Sequence, residues 1–136
     1  MIHAVLVLAL SSHAWLADVE CTDRPECWPE GSAMHTGLVA KQELATADKE
    51  LNKVYARIIG GLPADEADNY PKKALVAAQR EWIKFRDANC ASIGEVSGGV
   101  RMWKSAATVQ CETTMTQARV KELVQTFEGS ADGAGK

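Results

Sequence analysis

Between Leu44 and Leu62 apolar side chains recur at intervals of three and four: Leu44, Ala47, Leu51, Tyr55, Ile58 and Leu62. That spacing puts them on one face of an α-helix and does not fit the twofold alternation of a half-buried strand. The period returns twice. Leu75, Ala78, Trp82, Phe85 and Asn89 form one stripe, with Val76, Ile83 and Cys90 beside it, and together they predict a second helix over about 71–91 with a broad apolar face. Trp103, Ala107, Cys111, Thr114 and Ala118, then Val120, Val124 and Phe127, predict a third over about 101–127, its stripe drifting near residue 118. The first helix is expected over about 38–59, where Gly60-Gly61-Leu62-Pro63 stops it. Asp65, Glu66 and Asp68 then place negative charge near the next helix start, where the dipole favours it, and Pro71 suits a first turn. Residues 92–100 (SIGEVSGGV), marked by three glycines, read as a loop. No strand alternation persists, so the expected fold class is all-α. The architecture is a three-helix antiparallel bundle, up-down-up, with short connections between sequential neighbours.

What precedes the helices sets the compartment. Residues 1–17 hold no Asp, Glu, Lys or Arg, and Ala4 to Leu10 form an apolar run too short to span a bilayer. Small residues follow, with Ser12-His13-Ala14 fitting the small-x-small cleavage pattern and a cut after Ala17 as the alternative, so residues 1–17 read as a secretory signal peptide and the protein as periplasmic or secreted, without a membrane span. The 136-residue chain then leaves one domain over 18–128 and a tail over 129–136 (GSADGAGK) expected to be disordered. In an oxidising compartment the four cysteines form disulfides. Four cysteines permit three connectivities. Cys21 and Cys27, close in sequence with Pro25 between them, favour a first bridge, and Cys90 and Cys111 a second. The second closes a loop of about 20 residues, for which the chain-entropy estimate is roughly 3 kcal/mol. Residues 18–31 thus read as an irregular, disulfide-pinned arm, with Trp28 lying on the helical body as a cap.

Searching for chemistry yields little. The net charge is −3, and residues 101–136 carry 5 basic against 4 acidic side chains, so no basic face suits nucleic acid. His35 is the one histidine beyond the leader, no C-x-x-C pair exists, and a zinc site is not expected. No cofactor, metal ligand set or catalytic residue is assigned. Carboxylates alternate with lysines as they do on exposed helix faces, as in Glu50 and Lys53 or Glu81 and Lys84. The informative side chains are polar ones embedded in apolar stripes: Asn52, Gln79, Arg86, Asp87, Thr116 and Arg119. Buried polar groups need partners. An interhelical clamp is expected, with Arg86 or Arg119 pairing with Asp48 or Asp87 in bidentate geometry.

Three segments also resemble a known family. Ala47-Asp48-Lys49-Glu50-Leu51-Asn52-Lys53-Val54-Tyr55 resembles the A-D-x-x-L-N-x-x-Y helix of the LprI-type lysozyme inhibitors. Gln79 to Cys90 (QREWIKFRDANC) looks like their Q-x-x-W-[IL]-x-[FY]-R-D-x-x-C signature. The Gly98-Gly99 connector, then Cys111, Thr116, Arg119 and Leu123, is similar to the closing C-x4-T-x-x-R-x3-L. The resemblance spans about residues 38–127 and implies a small, disulfide-containing helical protein outside the cytoplasm, with Cys90–Cys111 in agreement. Family members commonly carry a cysteine shortly before the first helix motif. Here that stretch is Thr36-Gly37-Leu38-Val39, and the early cysteines lie at 21 and 27. The implied function is binding without catalysis, inhibiting a lysozyme or related cell-wall hydrolase. The alternative is an envelope-interaction or immunity module with another protein partner. The acidic surplus of residues 18–60, 8 acidic against 5 basic side chains, suits steering towards a basic lysozyme.

Overall fold

The computed structural model describes residues 22–129; the leader, Cys21 and the tail beyond Gly129 lie outside the described residues. A 3-10 turn, η1 (Pro25–Cys27), leads into three helices, α1 (Ala33–Gly61), α2 (Pro71–Ser97) and α3 (Arg101–Phe127), with no strand among the described residues. Ser32 caps α1, its hydroxyl accepting from the His35 backbone N–H at 3.2 Å. The start therefore falls five residues before the expected one: Gly37 lies within the helix, where α1 passes close to Ala106 of α3. Asp65 serves the next helix as foreseen, its carboxylate accepting from the backbone N–H groups of Lys72 and Lys73 at 3.0 and 3.4 Å.

α2 corrects the expected loop at 92–100. It continues to Ser97, and only Gly98, Gly99 and Val100 connect it to α3. Gly98 and Gly99 take positive φ, 70° and 82°, and supply the turn. Gly94 has another task. It is buried in the last turn of α2, and a Cβ there would meet the Thr108 hydroxyl and come within 2.8 Å of the Lys104 carbonyl oxygen. Helix breaking was the wrong inference because a glycine in a helix can also admit a neighbouring backbone.

α3 is the hub, packing on α2 and more extensively on α1. Along α2 and α3 the paired residues run in opposite sequence order: Cys90 with Cys111, Arg86 with Thr116, Gln79 with Arg119. Along α1 and α3 they run in the same order, Gly37 beside Ala106 and Arg57 beside Glu128. Leu51, Val54, Ile58, Leu75 and Leu123 make the core cluster, with Tyr55, Trp82, Val120 and Val124 packed against it. The inward face of α2 is not the expected one. Gln79, Cys90 and Gly94 are buried, whereas Ala78 is exposed and Ile83 and Phe85 face outward, Phe85 at 60% exposure. On α3, Ala106, Thr113, Thr116 and Leu123 point in, while Trp103, Thr114 and Ala118 are exposed. In the arm Pro25 is buried, and Trp28, expected to lie on the helical body as a cap, keeps 37% of its surface exposed.

Candidate functional site

Half-way along the bundle, Trp82 of α2 lies between two guanidinium groups, those of Arg86 at 5.5 Å and Arg119 at 5.7 Å from its ring. Arg86 reaches both other helices. Its Nη1 donates to Asp48 Oδ1 on α1 at 3.0 Å and to Thr116 Oγ1 on α3 at 2.9 Å. Its Nε donates to Asp87 Oδ1, the adjacent residue, at 2.9 Å. Burial works against the Arg86 charge, and the hydrogen bonds and charges of Asp87 and Asp48 outweigh it, holding its pKa above the ordinary value. The expected clamp is present, with a different division of partners. Arg119 pairs with neither Asp48 nor Asp87; its Nε donates to Gln79 Oε1 at 3.1 Å and its Nη1 to Glu122 at 2.8 Å. Arg86 turns both Nε and Nη2 to one oxygen of Asp87, each at 2.9 Å, and reaches across the bundle with Nη1 alone, so no fork spans two helices.

Of the residues singled out beforehand, Leu51 and Leu123 belong to the core cluster and Tyr55 packs on it. Gln79 and Thr116 are buried, and Asp48, Trp82, Arg86 and Arg119 are half-buried around them. Asp87 is exposed but joined to Arg86. Asn52 stands apart: it is exposed, because it follows inward-facing Leu51 by one residue and thus turns about 100° away. Glu112 was not foreseen. Its carboxyl is pushed above the ordinary 4.5 by burial and by the charges of Asp87 and Asp48, against the pull of Arg86. Every buried side-chain nitrogen or oxygen among the described residues has a partner.

One helical turn higher, the Cys90–Cys111 disulfide joins α2 to α3 across a Cα separation of 5.4 Å. Met115 Sδ lies 3.6 Å from Cys90 Sγ and 3.4 Å from Asn89 Nδ2. Cys27 is also disulfide-bonded. Beyond the bridge, Ile93, Val96, Val100, Met102 and Trp103 are exposed around the α2–α3 turn, Val96 at 86% and Val100 at 66%. Sequence reading missed this patch, although apolar residues flanking a glycine pair in a surface turn are a visible signal. A furrow of about 630 Å³ runs between α1 and α3, lined by residues such as Gln42, Glu43, Glu50, Gln110 and Thr114. Among the described residues no group of three His, Cys, Asp or Glu is placed to hold a metal ion, and no helix is long and apolar enough to cross a membrane.

The clamp thus ties three helices together, while the apolar side chains at the α2–α3 turn stay exposed. The family model described as lysozyme inhibitor LprI matches residues 27–123. An uncharacterised protein of Rhizobium meliloti (strain 1021) is 31% identical over 114 residues, covering 78% of this chain and 81% of the relative. No solved structure matches the chain.

Proposed function

Because the chain belongs to the LprI lysozyme-inhibitor family, we propose that it is an extracytoplasmic binding protein that inhibits a lysozyme or related cell-wall hydrolase by direct contact. Family membership is the observation that carries this reading. The geometry supports binding over catalysis. Arg86, Arg119, Asp48 and Gln79, the polar residues with the most specific surroundings, spend their hydrogen bonds on one another and on Thr116, Asp87 and Glu122. In this reading the leader is removed after residue 17, and Cys21–Cys27 and Cys90–Cys111 staple an antiparallel bundle. The net charge of −3 steers encounter with a basic enzyme more than it adds affinity.

The test is lysis of a cell-wall suspension by purified chicken-type, goose-type and invertebrate-type lysozymes, with and without the purified chain. Dose-dependent slowing of at least one enzyme is expected. Unchanged lysis by all three at large molar excess would remove lysozyme as the partner. N-terminal sequencing of the exported protein should begin at Asp18, and thiol labelling after unfolding should find no free cysteine. A retained Met1, or two free thiols, would contradict the export and pairing in this reading.

A further inference from the structure

The α2–α3 turn combines three features that belong together in a cleft-filling element. It is apolar and exposed, through Ile93, Val96, Val100, Met102 and Trp103. It is held from below by the Cys90–Cys111 bridge and by the close approach of Gly94 to Thr108 and Lys104. It also carries one uncompensated positive charge. Lys104 donates to Glu95 at 2.6 Å and the two cancel, whereas no carboxylate among the described residues pairs with exposed Arg101. Trp, Met and Arg are enriched in interface cores, and Trp and Arg dominate binding energy when buried by a partner.

Resting on the reading of the protein as a lysozyme inhibitor, we propose that this tip enters the substrate cleft of the inhibited glycoside hydrolase. There the Arg101 guanidinium meets the catalytic carboxylates and Val96, Val100 and Trp103 fill the sugar subsites. The complementarity is one of charge and of apolar surface. Glycoside hydrolases place a pair of carboxylates across the scissile bond, and a guanidinium is the side chain whose fork matches a carboxylate. Ligand clefts are largely apolar, and the tip presents exposed apolar side chains at the end of two helices. A connection of only Gly98, Gly99 and Val100 between two long helices, with a disulfide close behind, leaves little freedom to lose on binding.

The test measures binding of the full chain and its variants to each lysozyme that the wild type inhibits, with N-acetylglucosamine trimer as a cleft-occupying competitor. Arg101→Glu and Val96→Asp should each weaken binding about tenfold or more. Lys84→Glu, on the exposed face of α2 away from the tip, should stay within about twofold. The trimer should compete with the chain. Tip variants that bind as the wild type does, or a trimer that binds alongside the chain, overturn the proposal while leaving inhibition intact. A wild-type chain that self-associates in sedimentation, and ceases to on Val96→Asp, makes a second copy the occupant and also overturns it. A wild type that binds no lysozyme removes the underlying reading and the proposal together. Both variants are surface substitutions, and an unchanged circular dichroism spectrum separates lost contact from lost fold.

Discussion

The two ends of the bundle are built from different materials. Towards the Gly61 end of α1 the interior is filled by branched aliphatic side chains, Leu51, Val54, Ile58, Leu75 and Leu123. Towards the α2–α3 turn the buried residues are Ala40, Ala106, Gly94, Cys90 and Leu38, mostly small, so the helices come close and enclose little apolar area. A small side chain contributes little transfer free energy, and at this end a covalent bridge and close backbone approach take over. The level between them belongs to the polar clamp. The difference teaches why the exposed apolar tip is tolerated: it is mounted on a stapled end, where order does not depend on burying Val96 or Val100.

Substitutions at four features probe this contrast. The largest effect is expected at the aliphatic end. Leu123 is 1% exposed, and Leu123→Ala should cost about 4 kcal/mol in urea unfolding, the transfer loss plus the cavity. The paired change Cys90→Ser with Cys111→Ser should cost about 3 kcal/mol, as expected for a bridge closing a loop of this size. An unchanged midpoint would show that the small-residue end needs no staple.

Removing the clamp ranks next. Arg86→Ala leaves Asp48 without its cross-helix partner and the fully buried Thr116 hydroxyl without its donor. The expected cost is about 2 kcal/mol, and a double-mutant cycle with Asp48→Ala should show coupling. The smallest effect has the opposite sign. The Glu112 pKa is raised in the folded protein, so ionised Glu112 opposes folding at every pH above that raised value. As pH falls through the folded value towards the ordinary 4.5, the folded form takes up the proton first and the opposition disappears. Glu112→Gln should therefore raise the melting temperature slightly at pH 7, and the gain should vanish near pH 4. A gain that persists in acid would assign it to something other than the charge.

The aliphatic end was the more legible in sequence. Leu51, Ile58 and Leu75 follow the helical period and are buried as that period requires, while α1 runs two residues past its expected end at 59, taking in Gly60 and Gly61 before it stops at Leu62. The stapled end was less so, for two physical reasons. Gly94 breaks a pattern on paper but in three dimensions admits α3. On α2 hydrophobicity pointed to Phe85 and Ile83 as inward, yet polar Gln79 and Arg86 take the inner seam because α1 and α3 offer them partners. Periodicity ranks faces by apolarity alone and cannot register hydrogen-bond partners on other helices. The clamp was anticipated from its residue types, while the partner choice of Arg119 depended on helix register. The disulfide between Cys90 and Cys111 was legible from pairing arithmetic and the resemblance together.

The measurement closest to the central claim is native-state hydrogen exchange on the wild type and on the Cys90→Ser, Cys111→Ser variant. If the two ends are held by different means, loss of the bridge should strip protection from amides around 88–97 and 101–112. Those around Val54, Ile58 and Leu123 should exchange only as much faster as the global stability falls. Protection lost equally along all three helices would contradict the account, since it would mean that the bundle is one cooperative unit without a separately stapled end.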